Sequence, residues 1–336
     1  MSLAILLLPA WAVFGRQGVS PGLAKAFGRA DASVVGSSGS DAQLIRHFVA
    51  TPARWAPAAL TRQADVGDAA GAAWLRADPA HVRPEMTGAR LLGIGERLSL
   101  TQDDVDALLP ALKPVFGDSG FALDAPTPAR WYLKLLREAK FPQFSPPDEA
   151  LGEDLFEHQP GGPEGRRWRA LLNEVQIVLH NHPWNAQRAE RGLVPVNALW
   201  VWGGGVLPDR IVSAAQHACS DDDLVQALSR IAGGSAQPLP QHFPAASPAG
   251  NDSHLYDLRR FRDLAALQRD WLLPALDALR TGACTALAID SADGSRLQLA
   301  RGQRWRFWRG AWSMPSTAQP RTGQSPVEQS PTDASA

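Results

Sequence analysis

The stretch from Trp168 to Gly205 constrains this chain most. It prescribes a helix, a forced stop, a polar connector and a strand in immediate succession. Apolar residues at Trp168, Leu171, Leu172, Val175, Val178 and Leu179 recur at helical spacing. Arg169, Asn173, Gln176 and His180 form a second, polar stripe on the same helix. Pro183 has no amide hydrogen and disfavours helix at His182, so the helix is expected to end there. A connector with Asn185, Arg188 and Arg191 follows, and Gly192 can end any helical piece within it. Ala198 to Trp202 reads as a strand, with Leu199 and Val201 on one face and Trp200 and Trp202 on the other. Gly203, Gly204 and Gly205 are expected to close it in a tight turn. Two readings stand side by side. Either the polar ends of these pieces converge on a small anionic ligand, or the stripe is an ordinary solvated helix face. The glycines lack the Lys-Ser/Thr ending of a nucleotide-binding loop, which excludes that motif. His180 and His182 are two residues apart, so one helix face does not present both to a metal.

Composition narrows the class. A chain of 336 residues suffices for one large domain or two modest ones. A net charge of -1 argues against a general nucleic-acid or membrane-surface binder. Two cysteines, Cys219 and Cys284, make no disulfide framework and suit a reducing, cytoplasmic location. Leu3 to Leu8 is apolar without a basic flank, and is read as a buried first strand rather than a signal peptide.

The rest of the chain is more ordinary. Leu44, Ile45, Phe48 and Val49 mark one helix. Trp74 and Leu75 read as buried, next to polar Arg76, Asp78, His81 and Arg83; Arg76 with Asp78 also fits a structural ion pair. Thr101 to Leu112 reads as a helix with a Thr101 N-cap, Asp104 at the capping-box distance and Pro114 as its stop. Phe141 to Gly165 is a Pro- and Gly-rich loop or lid. Leu255 to Leu279 reads as helical, interrupted before Pro274. Thr285 to Asp290 and Ser295 to Ala300 form a hairpin around Ala292-Asp293-Gly294. Trp305, Phe307, Trp308 and Trp312 are expected to cover the sheet. From Pro315 the sequence turns to Ser, Thr, Pro and Gln, a disordered composition.

Three blocks carry a family resemblance: Trp74 to Met86, Ala129 to Leu135, and Asn173 to Gly205. They resemble a bacterial family of RpfE-type regulatory proteins that is phosphoglycerate-mutase-like. They are also similar to archaeal-type, cofactor-independent phosphoglycerate mutases of the alkaline phosphatase superfamily. His182, Pro183, Asn185, Arg188, Gly192, Pro195, Asn197, Gly203 and Gly205 match that pattern without a gap. Arg76 and Arg130 match two further arginines of the family. The resemblance implies that such arginines grip phosphate and carboxylate groups. It also implies two metal ions and a serine nucleophile. Here the first strand ends in Leu8-Pro9-Ala10, with no Asp, and His254, Asp257, Asp263 and Asp270 do not reproduce the family's metal spacing. Ser37, Ser38 and Ser40 lie in a Gly-Ser run without a metal-site context.

The resulting expectation is an α/β fold, alkaline-phosphatase-like, with a mostly parallel sheet, helices on both faces and an inserted α+β cap domain. Residues 1–70 and 195–312 would form the core, 71–194 the insert and 313–336 a disordered tail. The expected ligand-binding set is Arg76, Asp78, Arg130, Asn173, His180, His182, Asn185, Arg188, Asn197, Gly203 and Gly205. The arginines among them are expected to lack carboxylate partners and to draw in a small phosphorylated metabolite. No metal or other cofactor, nucleic acid or membrane is expected. The first functional expectation is a non-catalytic regulatory protein that has lost the dinuclear metal centre. An active mutase or phosphatase with a rearranged metal site is the enzyme alternative, and a ligand-free interaction scaffold is the third.

Overall fold

The computed structural model describes residues 2–86, 88–244 and 252–314. The tail expected to be disordered lies outside the described residues from residue 315 onward.

Strand β1 (Leu3–Leu8) sits in the middle of a seven-stranded sheet. It pairs in parallel with β12 (Ser253–Asp257) on one side and β13 (Ala286–Ser291) on the other. Beyond β12 lie β10 (His217–Cys219) and β11 (Ser235–Gln237), also parallel. Beyond β13 the hairpin partner β14 (Ser295–Ala300) and then β2 (Asp31–Val34) are antiparallel neighbours. A strand covered on both faces needs apolar side chains on both, which is why β1 reads as an unbroken run. Ala4, Leu6 and Leu8 pack against α1 (Pro21–Arg29), α9 (Leu264–Leu267) and α10 (Leu273–Thr281). Ile5 and Leu7 pack on the opposite face with α2 (Ser40–His47), α3 (Pro57–Asp65) and α8 (Asp223–Ile231). The expected α/β class, with a mostly parallel sheet and helices on both faces, is the fold of this chain.

A second sheet is antiparallel throughout. Its strands are β4 (Ala73–Glu85), β5 (Gly88–Ile94), β6 (Ala122–Thr127), β7 (Arg130–Leu135) and β8 (Ala198–Val206). Helices α4 (Gln102–Asp118) and α6 (Gly162–His180) cover one face, burying Leu108, Leu112, Phe116, Trp168 and Val175 against Leu133, Leu199 and Val201. The loop before α6 carries the short α5 (Pro147–Ala150), and α7 (Trp184–Glu190) follows α6. A small pair, β3 (Phe48–Thr51) with β9 (Arg210–Ser213), completes the strands. Strand β8 lies beyond the boundary expected at residues 194 and 195, yet its hydrogen bonds are to the second sheet. Among the described residues no helix is long and apolar enough to cross a membrane.

Several local expectations are corrected. Pro114 does not end α4, which runs on to Asp118 with Pro110 and Pro114 inside it. The continuing stripe Val105, Leu108, Leu112 and Phe116 is buried, and that packing offsets the hydrogen bonds the prolines omit. Leu255 begins no helix; it lies in β12. Phe48 and Val49 leave α2 for β3. The triple glycine does not turn: it continues β8, and Gly205 and Gly203 lie against Ala56 and Pro57 at the start of α3. A Cβ on Gly205 would stand 2.6 Å from that of Ala56, so the glycines permit a close approach of helix to strand. Trp305, Phe307 and Trp308 are exposed rather than laid on the sheet, whereas Trp312 does pack, with its ring 5.0 Å from Trp11.

Candidate functional site

The signature stretch folds as a self-satisfied corner. Asn185 donates to the carbonyls of Leu179 (2.8 Å) and Val196 (3.0 Å) and accepts from the Val196 amide. It thereby staples the end of α6 to the approach to β8. Asn197 bonds both the amide and the carbonyl of Val82, taking the place of a strand neighbour. His182 Nδ1 accepts from the Trp184 amide at the start of α7. Arg188 is fully buried. Its guanidinium meets Asp104 at 2.7 Å and donates to the carbonyls of Leu98 and Val194. Asp104 also accepts from the Trp184 indole and from the Thr101 amide, closing the expected capping box. Burial alone would raise the Asp104 carboxyl, but these donors outweigh it and hold it below its ordinary value. Asn173 and His180 are exposed on α6. Asn173 and Gln176 border a small cavity beside Trp200, with neither His182 nor Arg188 in its wall.

Arg76 and Arg130 belong to a different network, between α3, β4 and β7. Arg76 Nε donates to Asp78 at 2.8 Å, and Asp78 also accepts from the Trp202 indole. The Arg76 guanidinium lies over the rings of Tyr132 and Trp202. Arg130 grips Asp65 with two bonds of 2.9 Å and reaches Asp223 at 2.6 Å. The Tyr132 hydroxyl donates to the same Asp65 at 2.6 Å. Nearby Arg62 is held by Asp68 and Asp124. The expectation of arginines without carboxylate partners is therefore corrected: each of the three has its own. Glu190 and Glu174 are close to Arg188 in sequence, yet its partner is Asp104 of another helix. The eleven expected residues do not form one pocket.

A second constellation, which sequence reasoning did not assemble, lies at the carboxyl ends of the parallel strands. That edge is where open α/β sheets place ligands, because loops and helix starts converge there. Asp257 ends β12, and Ser220 and Asp222 follow β10. Ser40 opens α2. Arg259 joins all of them: Nε and Nη2 clasp Asp257, each at 2.8 Å, Nη2 also reaches Asp222, and Nη1 donates to the Ser40 hydroxyl at 2.6 Å. Ser220 donates to Asp257 as well. Burial pushes the Asp257 carboxyl up, but the Arg259 guanidinium and the Ser220 hydroxyl hold it below its ordinary value. On the far side of β1, Asp290 of β13 is fully buried between Arg46 (2.7 Å) and His47 (3.1 Å). The only signal in the sequence was chemical type at strand ends, spread over loops far apart.

Asp41, next to Ser40, behaves differently. Burial raises its carboxyl to about 6, and the carboxylates of Asp148 and Glu149 on α5 add to the rise. Because the folded value exceeds the unfolded one near 3.8, the native state binds the proton more tightly. The associated stability is fully present below 3.8 and is lost as pH rises through about 6. Asp41→Asn is expected to stabilise the protein at pH 7 by about 1–2 kcal/mol, after allowing for partial exposure, and to change little at pH 4. Thermal melts at the two pH values check this; an equal effect at both would contradict it.

No protein-family model matches the chain. Segments of it match 2,3-bisphosphoglycerate-independent phosphoglycerate mutases. One from Methanosarcina barkeri is 42% identical over 66 residues, 20% of this chain and 17% of that one. A Geobacter sulfurreducens protein described as a probable mutase of this type is 43% identical over 63 residues, 19% of this chain and 16% of that one. Part of this chain is distantly related to these mutases. The matches span about a sixth of the relatives' length. Among solved structures, a cofactor-independent phosphoglycerate mutase from Thermoplasma acidophilum aligns over 90% of both chains at 15% identity, with a TM-score of 0.43. A Pyrococcus horikoshii protein aligns over 89% of this chain and 87% of its own at 12% identity, with a TM-score of 0.46.

The two metal ions that the resemblance implies do not fit the residues at the strand ends. Asp257 and Asp222 already face a guanidinium, and the chain leaves β1 through Pro9 and Ala10, which offer no side-chain ligand. Among the described residues no three His, Cys, Asp or Glu side chains are grouped to hold an ion.

Proposed function

We propose that this chain is a phosphoglycerate-mutase-like protein without mutase turnover, whose strand-end crevice is closed by its own arginine. One observation carries the reading: Arg259 binds Asp257, Asp222 and Ser40 together. Four of its five N–H groups are engaged in these bonds, which leaves little for a phosphoryl group. A serine becomes a nucleophile when a base takes its proton. The group bonded to Ser40 is a guanidinium, which stays protonated and takes none. A chain that keeps the relatives' signature residues without this chemistry acts by binding, and the RpfE-type regulatory role with a small anionic metabolite is part of the same proposal.

A second reading rests on Asp41. A carboxyl titrating near 6 beside a crevice serine is suited to general acid–base work. An active phosphatase or mutase with a rearranged site would use it. Incubation with 3-phosphoglycerate and manganese, cobalt or zinc separates the two. The first reading predicts no 2-phosphoglycerate and no free phosphate; a thermal shift by 3-phosphoglycerate alone would show that the metabolite binds away from the Arg259 crevice. Turnover that chelator abolishes and Asp41→Asn reduces would establish the second. Neither turnover nor a shift with 3-phosphoglycerate would leave the scaffold reading.

A further inference from the structure

The turn that follows β14 carries three aromatic rings that are exposed among the described residues. Residues 301–309 contain Arg301, Arg304, Arg306 and Arg309 and no acidic residue, although the whole chain has a net charge of -1. Trp305, Phe307 and Trp308 are 65%, 78% and 71% exposed. Single exposed apolar side chains are common, but three such rings within four residues make a patch. The turn is held firmly. Arg306 and Arg309 donate to the carbonyls of Arg29 and Ala30, and Gln303 and Arg306 bind Asp31. Gly28 admits the Gly310 backbone so closely that any Cβ there would clash. The rings are thus presented outward on an anchored support.

Beside the turn runs a groove of about 740 Å³ between α1 and α10. Its apolar lining includes Leu273, Leu276, Leu279 and Leu299, and its charged lining is mostly basic, with Lys25, Arg29, Arg301 and Arg304 against the single carboxylate of Asp277. Among the described residues, the buried Arg29 Nε has no hydrogen-bond partner. Arg301 and Arg304 belong to both the groove and the turn, so the two features form one surface.

We infer that this surface docks the protein on an anionic phospholipid bilayer. Indole rings favour the level of the headgroups, and the wholly apolar Phe307 ring gains from burial in the acyl layer just beneath them. Arginines flanking the rings meet lipid phosphates while their stems stay with the apolar layer. A nucleic acid would satisfy the charges but gives no apolar acceptor to the groove floor of Leu273 and Leu276. The net charge of the chain averages over this patch and does not describe it.

Flotation of the whole protein with vesicles tests the inference. Binding is expected to phosphatidylcholine vesicles containing phosphatidylglycerol and not to phosphatidylcholine alone. The triple variant Trp305→Ser, Phe307→Ser, Trp308→Ser is expected to lose binding. Arg301→Gln and Arg304→Gln are each expected to weaken it on the order of fivefold at low salt. Melting temperatures of the variants should match the wild type, since the rings are exposed. No flotation at low salt, or flotation that the triple variant retains, would overturn the inference. So would a single-stranded oligonucleotide that binds through the same residues while vesicles do not.

Discussion

Arg188→Ala is expected to destabilise the ligand-free protein by about 3–5 kcal/mol, the scale for breaking a buried pair from one side. The side chain is wholly enclosed and bound to Asp104, Leu98 and Val194. Its removal strands the Asp104 carboxylate and two carbonyls and leaves a cavity. This reverses what an anion-binding arginine would do, since such a residue contributes little to the empty fold. The pH dependence has a fixed sign. Asp104 is held below 3.8, so the pair's contribution is present above that pH and is lost as pH falls through the lowered folded value. Urea unfolding of wild type and variant at pH 7 measures the effect. A change under about 1 kcal/mol would place Arg188 outside the structural network.

Arg259→Ala is expected to cost about 3–5 kcal/mol at pH 7 for the same reason, with an opposite acid limb. In the wild type, Asp257 sits below its ordinary value, so its stabilisation disappears as pH drops below 3.8. Without the guanidinium, burial dominates and raises the carboxyl instead. The variant should therefore gain stability as pH falls from 7 towards 5, while the wild type does not gain through this group. Parallel urea titrations between pH 7 and 5 read the difference. Curves of equal slope would mean that Arg259 does not carry the Asp257 charge.

The sequence disclosed the fold where the pattern was long or doubly covered. Leu3 to Leu8, the Trp168 to Leu179 stripe, the hairpin at residue 294 and the Thr101–Asp104 capping box are each set by local spacing. β12 escaped notice because it has five residues and abuts helical material, so periodicity had nothing to count. The aromatic turn was misread because exposure depends on what lies opposite, not on residue type. The site was less legible for a stronger reason. Arg188 and Asn185 are expected from sequence to hold a ligand, but their partners in the fold, Asp104 and Val196, are fixed only by packing. The Ser40 to Arg259 bond joins residues 219 positions apart, and no motif encodes such a contact.

On the proposed reading, Arg259 closes the strand ends in place of a metal-dependent phosphoryl site. Calorimetric titration of the wild type with manganese, with turnover of 3-phosphoglycerate followed in the same samples, tests this closure. Neither a stoichiometric heat of binding nor turnover is expected. Stoichiometric binding that Asp257→Asn abolishes, accompanied by chelator-sensitive formation of 2-phosphoglycerate, would contradict it.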